Sequence, residues 1–179
     1  MGRLCLILAM LIAATVMVPG QQRCDKEYSL GKGVALFCPP ADWTSTQEKD
    51  RKYLSFEKKV GPATFPPSLM IDEEKATEAP IELYVYGMVK GLFDMESAGA
   101  DKVTGKRVMD LVEFKTTSGL KGTKLVTEMT IGSMPTRSIY YVFEVPGFVY
   151  TFTAISGADD GSTGAAFDAI MKTMRVVKK

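Results

Sequence analysis

The sequence predicts an α+β fold, a central antiparallel sheet flanked by helices, and three observations lead there. Between Arg107 and Ser156 lie four β-rich runs separated by short Gly, Pro or Ser turns, the pattern of an antiparallel meander. After Gly161, Phe167, Ile170, Met171 and Met174 fall at i, i+3, i+4 and i+7, one apolar face of a helix. A second stripe, Ile81, Tyr84, Val85, Met88 and Leu92, follows Pro80, and proline is favoured at a first helical position.

The chain opens on targeting. Met1-Gly2-Arg3 carries one positive charge, and Leu4–Val18 is an uncharged, mostly apolar run. It is short of the about 20 residues a spanning helix needs, and it fits the apolar core of a secretory leader with a cleavage site at Val18-Pro19-Gly20. Residues 1–20 are therefore expected to be a signal peptide and 21–179 a single exported domain; an uncleaved anchor is the alternative. Removing Arg3 with the leader takes the net charge from +1 to zero. Cys5 leaves with it, and Cys24 and Cys38 remain, an even pair in a compartment that permits disulfides. Bridging them would restrain a loop of about fifteen residues, worth about 3 kcal/mol through lost unfolded-chain entropy; the alternative is two buried thiols.

In the mature chain, Gly33–Cys38 is a short apolar run stopped by Pro39-Pro40, a strand followed by a turn. Trp43, the sole tryptophan, is expected to anchor the core at the strand end. Tyr53–Glu57 alternates and reads as a second strand. Residues 61–67 carry three prolines and form a loop or extended edge leading to Leu69-Met70-Ile71. Asp72–Ala79 reads as a solvated acidic approach to the helix after Pro80, a helix favoured over a strand at Leu83–Tyr86. Ser97–Gly105 reads as a connector. In the meander, Phe148, Tyr150, Phe152 and Ala154 alternate with Val149, Thr151 and Thr153, predicting one half-buried strand. The terminal helix is expected to take Ser162 or Thr163 as its cap and to pack on the sheet at roughly 1.5–3 kcal/mol per buried side chain. No internal repeat is present.

Composition excludes more than it selects. The chain has 22 Lys and Arg against 21 Asp and Glu, so it has no global field with which to seek nucleic acid. It contains neither histidine nor asparagine. Histidine-based triads, HExxH zinc sites and haem-histidine ligation cannot be assembled from it, and it has no N-glycosylation sequon.

Among chemistry candidates, Asp159-Asp160-Gly161-Ser162 faintly matches a calcium loop, but position 170 holds Ile where the twelfth-position Glu belongs. A helix start is the favoured reading, since Asp is stabilising there. Asp72-Glu73-Glu74 with Glu78 would offer a cation site or an acid–base pair, yet a solvated face is the commoner use. Gly31-Lys32-Gly33 lacks the rest of a phosphate loop and reads as a turn. Lys172, Arg175, Lys178 and Lys179 would contact an anionic surface, although cations at a helix C-terminus also answer the macrodipole. Tyr140-Tyr141 and the methionines read as core and leader rather than a cofactor box.

The order of elements, with Phe37-Cys38-Pro39-Pro40-Ala41-Asp42-Trp43 at one end and Phe167–Arg175 at the other, resembles the PsbP-like superfamily over most of residues 28–178. Its members include the extrinsic photosystem II protein, exported bacterial relatives and a nuclear Ran-binding relative. The resemblance implies a central antiparallel sheet flanked by helices, an α/β/α sandwich, and little chemistry, because relatives bind quite different partners. The photosystem protein's metal-associated histidine has no counterpart here, so no catalytic, metal or cofactor residue carries over. The expected function is that of an exported, non-catalytic domain binding a protein or cell-envelope component, with no cofactor, no nucleic acid and no transmembrane helix after leader removal. A hydrolase using carboxylate, Tyr or Lys residues is one alternative. A carrier of a small apolar ligand in a groove between sheet and helix is another.

Overall fold

In the computed structural model, which describes residues 26–31, 34–40, 42–46, 54–61, 66–94 and 103–177, the chain runs β1 (Tyr28–Leu30), β2 (Ala35–Phe37), β3 (Trp43–Thr46), β4 (Leu54–Lys58), β5 (Ser68–Lys75), α1 (Ile81–Asp94), β6 (Val103–Lys115), β7 (Lys121–Ile131), β8 (Met134–Val145), β9 (Phe148–Gly157), α2 (Gly161–Lys172) and β10 (Arg175–Val176). The leader, Cys24, the residues between β4 and β5 at 62–65, Lys178 and Lys179 lie outside the described residues.

The meander forms as its alternation predicts, β6 to β9 pairing antiparallel in sequence order. Pro146-Gly147 turns β8 into β9, with Gly147 in the left-handed region at φ 87°, where a side chain would be strained. On the far side β5 joins β9, with Ile71 opposite Phe152 and Glu73 opposite Tyr150. The sheet then runs β3-β4-β5-β9-β8-β7-β6, and a separate small sheet runs β1-β2-β10. The last strand therefore returns beside β2: Arg175 pairs with Leu36, and Val177 N–H donates to the Val34 carbonyl at 2.9 Å.

Because side chains alternate along each strand, Leu69, Ile71, Tyr141, Phe143, Phe152 and Ala154 share one face of the large sheet, the core face. On it pack α2, through Phe167, Ile170 and Met171, and β2, through Phe37. The rings interlock edge to face, Phe37 on Phe152 at 5.5 Å, Phe37 on Phe56 at 5.6 Å and Phe143 on Phe152 at 6.0 Å, each pair adding about 0.5–1.5 kcal/mol beyond its burial. Trp43 is the core anchor expected, its ring edge-on to Phe167 at 5.6 Å. Gly122 is demanded by close packing, since a Cβ there would come within 2.5 Å of the Val142 carbonyl oxygen and the Phe143 ring.

Several expectations need correction. The fold is a sheet-dominated α+β arrangement with two helices among the described residues, and α2 shares its side of the sheet with the small β1-β2-β10 sheet. Residues 72–75 are not an approach to a helix: they continue β5 and pair with β9, because ladder hydrogen bonds to a central strand outweigh the weak β-propensity of Asp and Glu. β9 is buried on both faces rather than one, being central and overlaid by α1 on its second face. β6 already begins at Val103, inside the expected connector. The α2 cap is Asp160, whose carboxylate accepts from the Thr163 backbone N–H at 3.1 Å and from the Ser162 hydroxyl at 2.7 Å. Ser162 and Thr163 already belong to the first turn, so the acidic residue before them takes the orphan N–H groups.

Candidate functional site

The face of the large sheet opposite the core carries α1. Val85 packs there on Val142 of β8 and Val149 of β9, with Ile81, Tyr84, Met88 and Val89 around them. The Tyr84 hydroxyl lies 3.0 Å from the Thr151 hydroxyl of β9, so α1 sits over the middle strands. This matches the expected stripe as far as Met88; the side chain of Leu92 lies outside the described ones.

Beside α1, toward the β6–β7 hairpin, the sheet falls away into an open groove of about 1180 Å³. One wall is α1, with Val85, Tyr86 and Val89; the floor includes Leu111, Thr123 and Val142. Tyr86 is 68% exposed and Leu111 54% exposed, large surfaces for side chains of this kind. At the rim stand Glu82, Glu113 and Glu144 and one cation, Lys121. Lys121 is paired with Glu113 at 3.2 Å. The groove is thus apolar below and acidic above, the general build of a binding cleft. Sequence periodicity could not place it: Tyr86 lies off the apolar stripe of α1, and Leu111 belongs to an alternating strand whose partners across the sheet are long-range. An aromatic residue on the polar side of an amphipathic helix was the one available signal.

Two further clusters bind elements together. On the core face, Asp168 of α2 accepts from Lys124 Nζ at 2.8 and 2.9 Å and from the Tyr141 hydroxyl at 2.6 Å. Burial first, then the acidic acceptor, push the Tyr141 phenol well above its ordinary range. Glu73 of β5 accepts from the Tyr150 hydroxyl at 2.9 Å and from the Gly31 N–H at 3.1 Å, and burial followed by the Glu73 hydrogen bond likewise raises the Tyr150 phenol. Both hydroxyls are held protonated as donors, which suits a clamp and unfits them as bases.

Strand alternation divides the acidic run. Glu73 turns to the core face, whereas Asp72 and Glu74 lie on the other, near Tyr84; burial first, then Glu74, raise the Asp72 carboxyl. Among the described residues no three potential metal ligands come together. Gly31 closes β1 in a turn, as expected. Cys38 is buried at 2% exposure, while its expected bridging partner Cys24 lies outside the described residues. Lys172 is exposed at the end of α2. Arg175, exposed in β10, makes a forked pair with Glu27 at 2.9 and 3.0 Å. No helix among the described residues is long and apolar enough to cross a membrane.

No protein-family model matches the chain, and no curated protein matches its sequence. Solved structures do resemble it. Cyanobacterial PsbP (CyanoP) from Synechocystis superposes with a TM-score of 0.65 at 16% identity, covering 85% of this chain and 92% of that one. The Ran-binding protein Mog1p of Saccharomyces cerevisiae gives 0.57 at 10% identity, over 86% and 95%. LpqN of Mycobacterium tuberculosis, involved in cell envelope biogenesis, gives 0.56 at 16% identity, over 86% and 90%. The fold is therefore the PsbP-like and Mog1-like one that the residues at both ends of the chain led to expect.

Proposed function

We propose that this chain is an exported, non-catalytic domain that binds a protein or cell-envelope partner in the groove beside α1. The groove carries the reading: an apolar floor joins two strongly exposed anchors, Tyr86 and Leu111. Covering each would contribute roughly 1.5–3 kcal/mol. Likeness in fold to a Ran-binding protein supports a binding role as an analogy of fold. Export rests on the Leu4–Val18 run, with cleavage after Gly20 leaving 21–179 as one domain, held at its start by a Cys24–Cys38 bridge. In this proposal α1 and α2 make the outer layers of an α/β/α sandwich.

The apolar groove also favours a second reading, a carrier of a small apolar ligand. The groove lies open to solvent, whereas small-molecule sites bury most of their ligand, so the larger occupant is preferred. Random-peptide phage selection on the intact chain separates the two. Peptides that bind the wild type and weaken about tenfold or more on Tyr86→Ser/Leu111→Ser support the proposal. Enrichment indifferent to that variant sinks it, and bound lipid in native mass spectrometry would favour the carrier.

A further inference from the structure

We propose that the occupant of the groove is a short amphipathic helix of a partner protein, with Lys or Arg flanking its apolar stripe, lying alongside α1 over the hairpin end of β6 and β7. The inference rests on the preceding reading and gives that partner a shape and a charge.

Space decides the shape. α1 is centred over β8 and β9 through Val142, Val149 and Thr151. Neighbouring strands lie about 4.8 Å apart, so the midline of β6 and β7 is two spacings away, about 10 Å. That is the 8–10 Å at which two helices pack side by side. Among the described residues no element occupies this second lane, and Leu111 and Thr123 line its floor. From Ile81 to Val89, α1 offers roughly 12 Å of wall, a little over two turns, enough to meet apolar side chains at i, i+3, i+4 and i+7. Strand addition to the β6 edge is less suited. Register irregularities between Thr104 and Arg107 and between Val108 and Asp110 break that edge, a common guard against pairing.

Charge decides the flanks. Among the described residues that line the groove, Glu82, Glu113 and Glu144 stand against one cation, Lys121, itself paired with Glu113; Lys115, opposite Lys121 in the hairpin, is not part of the lining. The rim is therefore net negative, which favours a basic helix and opposes fatty carboxylates or phosphate headgroups.

Fluorescence anisotropy on the intact chain tests this with labelled synthetic peptides of about four helical turns. One carries a Leu stripe with Lys elsewhere, a second the same stripe with Glu elsewhere, and a third the Lys and Leu residues scrambled off the stripe. The Lys peptide should bind about tenfold tighter than the Glu peptide at low salt, and the gap should shrink as salt shortens the Debye length toward 3 Å at about 1 M. Glu82→Gln/Glu144→Gln should close most of the gap, and Tyr86→Ser/Leu111→Ser should weaken the Lys peptide at least tenfold. The scrambled peptide should bind weakly. Equal binding of the Lys and Glu peptides, both lost on Tyr86→Ser/Leu111→Ser, would overturn the basic helix while leaving the groove as a binding site. Lys-peptide binding indifferent to Tyr86→Ser/Leu111→Ser, or absence of binding by the striped peptides, would also overturn it. In those cases the phage selection judges the broader reading by itself.

Discussion

Replacing Asp168 by Ala removes the one carboxylate that ties α2 to the middle of the sheet. Its oxygens receive Lys124 Nζ at 2.8 and 2.9 Å and the Tyr141 hydroxyl at 2.6 Å. Tyr141 is 0% exposed, so its hydroxyl would lose its acceptor where water has little access, at about 1–3 kcal/mol. The Lys124 side chain keeps 17% exposure. Its ammonium can swing toward solvent, which reduces the 3–5 kcal/mol of a fully buried orphan charge to about 1–2 kcal/mol. Ala gains back about 0.5 kcal/mol in helix propensity. The net loss is roughly 1.5–4.5 kcal/mol, a fall of about 1–2 M in urea midpoint at an m-value near 2 kcal/mol/M. Trp43 fluorescence is the assay, because its ring packs on Phe167 of the same helix. Tyr141→Phe removes the donor and leaves the ion pair, costing about 1 kcal/mol. In the double variant no hydroxyl is stranded, so its cost should fall short of the sum of the single costs by about 1 kcal/mol or more. Additivity within about 0.5 kcal/mol, or a cost of Asp168→Ala below about 1 kcal/mol, would refute the shared-acceptor argument.

Gly122→Ala pushes a methyl against the Val142 carbonyl and the Phe143 ring and should cost about 1–3 kcal/mol in thermal or urea unfolding; a neutral outcome would show that β7 and β8 separate freely. Asp160→Ala removes the α2 cap and should cost about 1 kcal/mol at neutral pH. Thr163 and then Ser162 hold the Asp160 carboxyl below its ordinary 3.8, so this stabilisation is full above that value and is lost as pH falls through the lower folded one. Wild type and variant should thus converge in unfolding midpoint as pH falls progressively below 3.8, and a constant gap across pH would count against the cap. Phe167→Ala empties a fully buried site and should cost about 3–5 kcal/mol with a shift in Trp43 emission; a loss under about 1 kcal/mol would mean α2 is not docked there. Thiol titration of the denatured, unreduced mature chain should find neither Cys24 nor Cys38 reactive, and two free thiols would remove the proposed bridge.

Local pattern carried the fold a long way. Period two over residues 107–156 and period 3.6 after Pro80 and Gly161 are properties of neighbouring residues, because side-chain direction follows backbone geometry within one element. The four meander strands, both helices and the core role of Trp43 were therefore legible in the sequence. Where nearby and distant forces competed, local reading failed. The charges of Asp72–Lys75 read as a solvated approach to α1, yet the open ladder of β9 made them a strand, and alternation then divided Glu73 from Asp72 and Glu74.

The sequence by itself determined composition and its exclusions: with no histidine and no asparagine, whole classes of catalysis and modification are closed whatever the fold. It also determined which segments alternate and which wind. Only the tertiary structure decided which of those segments meet. Asp168 reaches Lys124 and Tyr141 across 44 and 27 residues, and α1 comes to lie over β8 and β9, while no element among the described residues covers β6 and β7 at their hairpin end. A groove is a space between elements, set by where a helix lies on a sheet, and no periodicity within a single element records that distance.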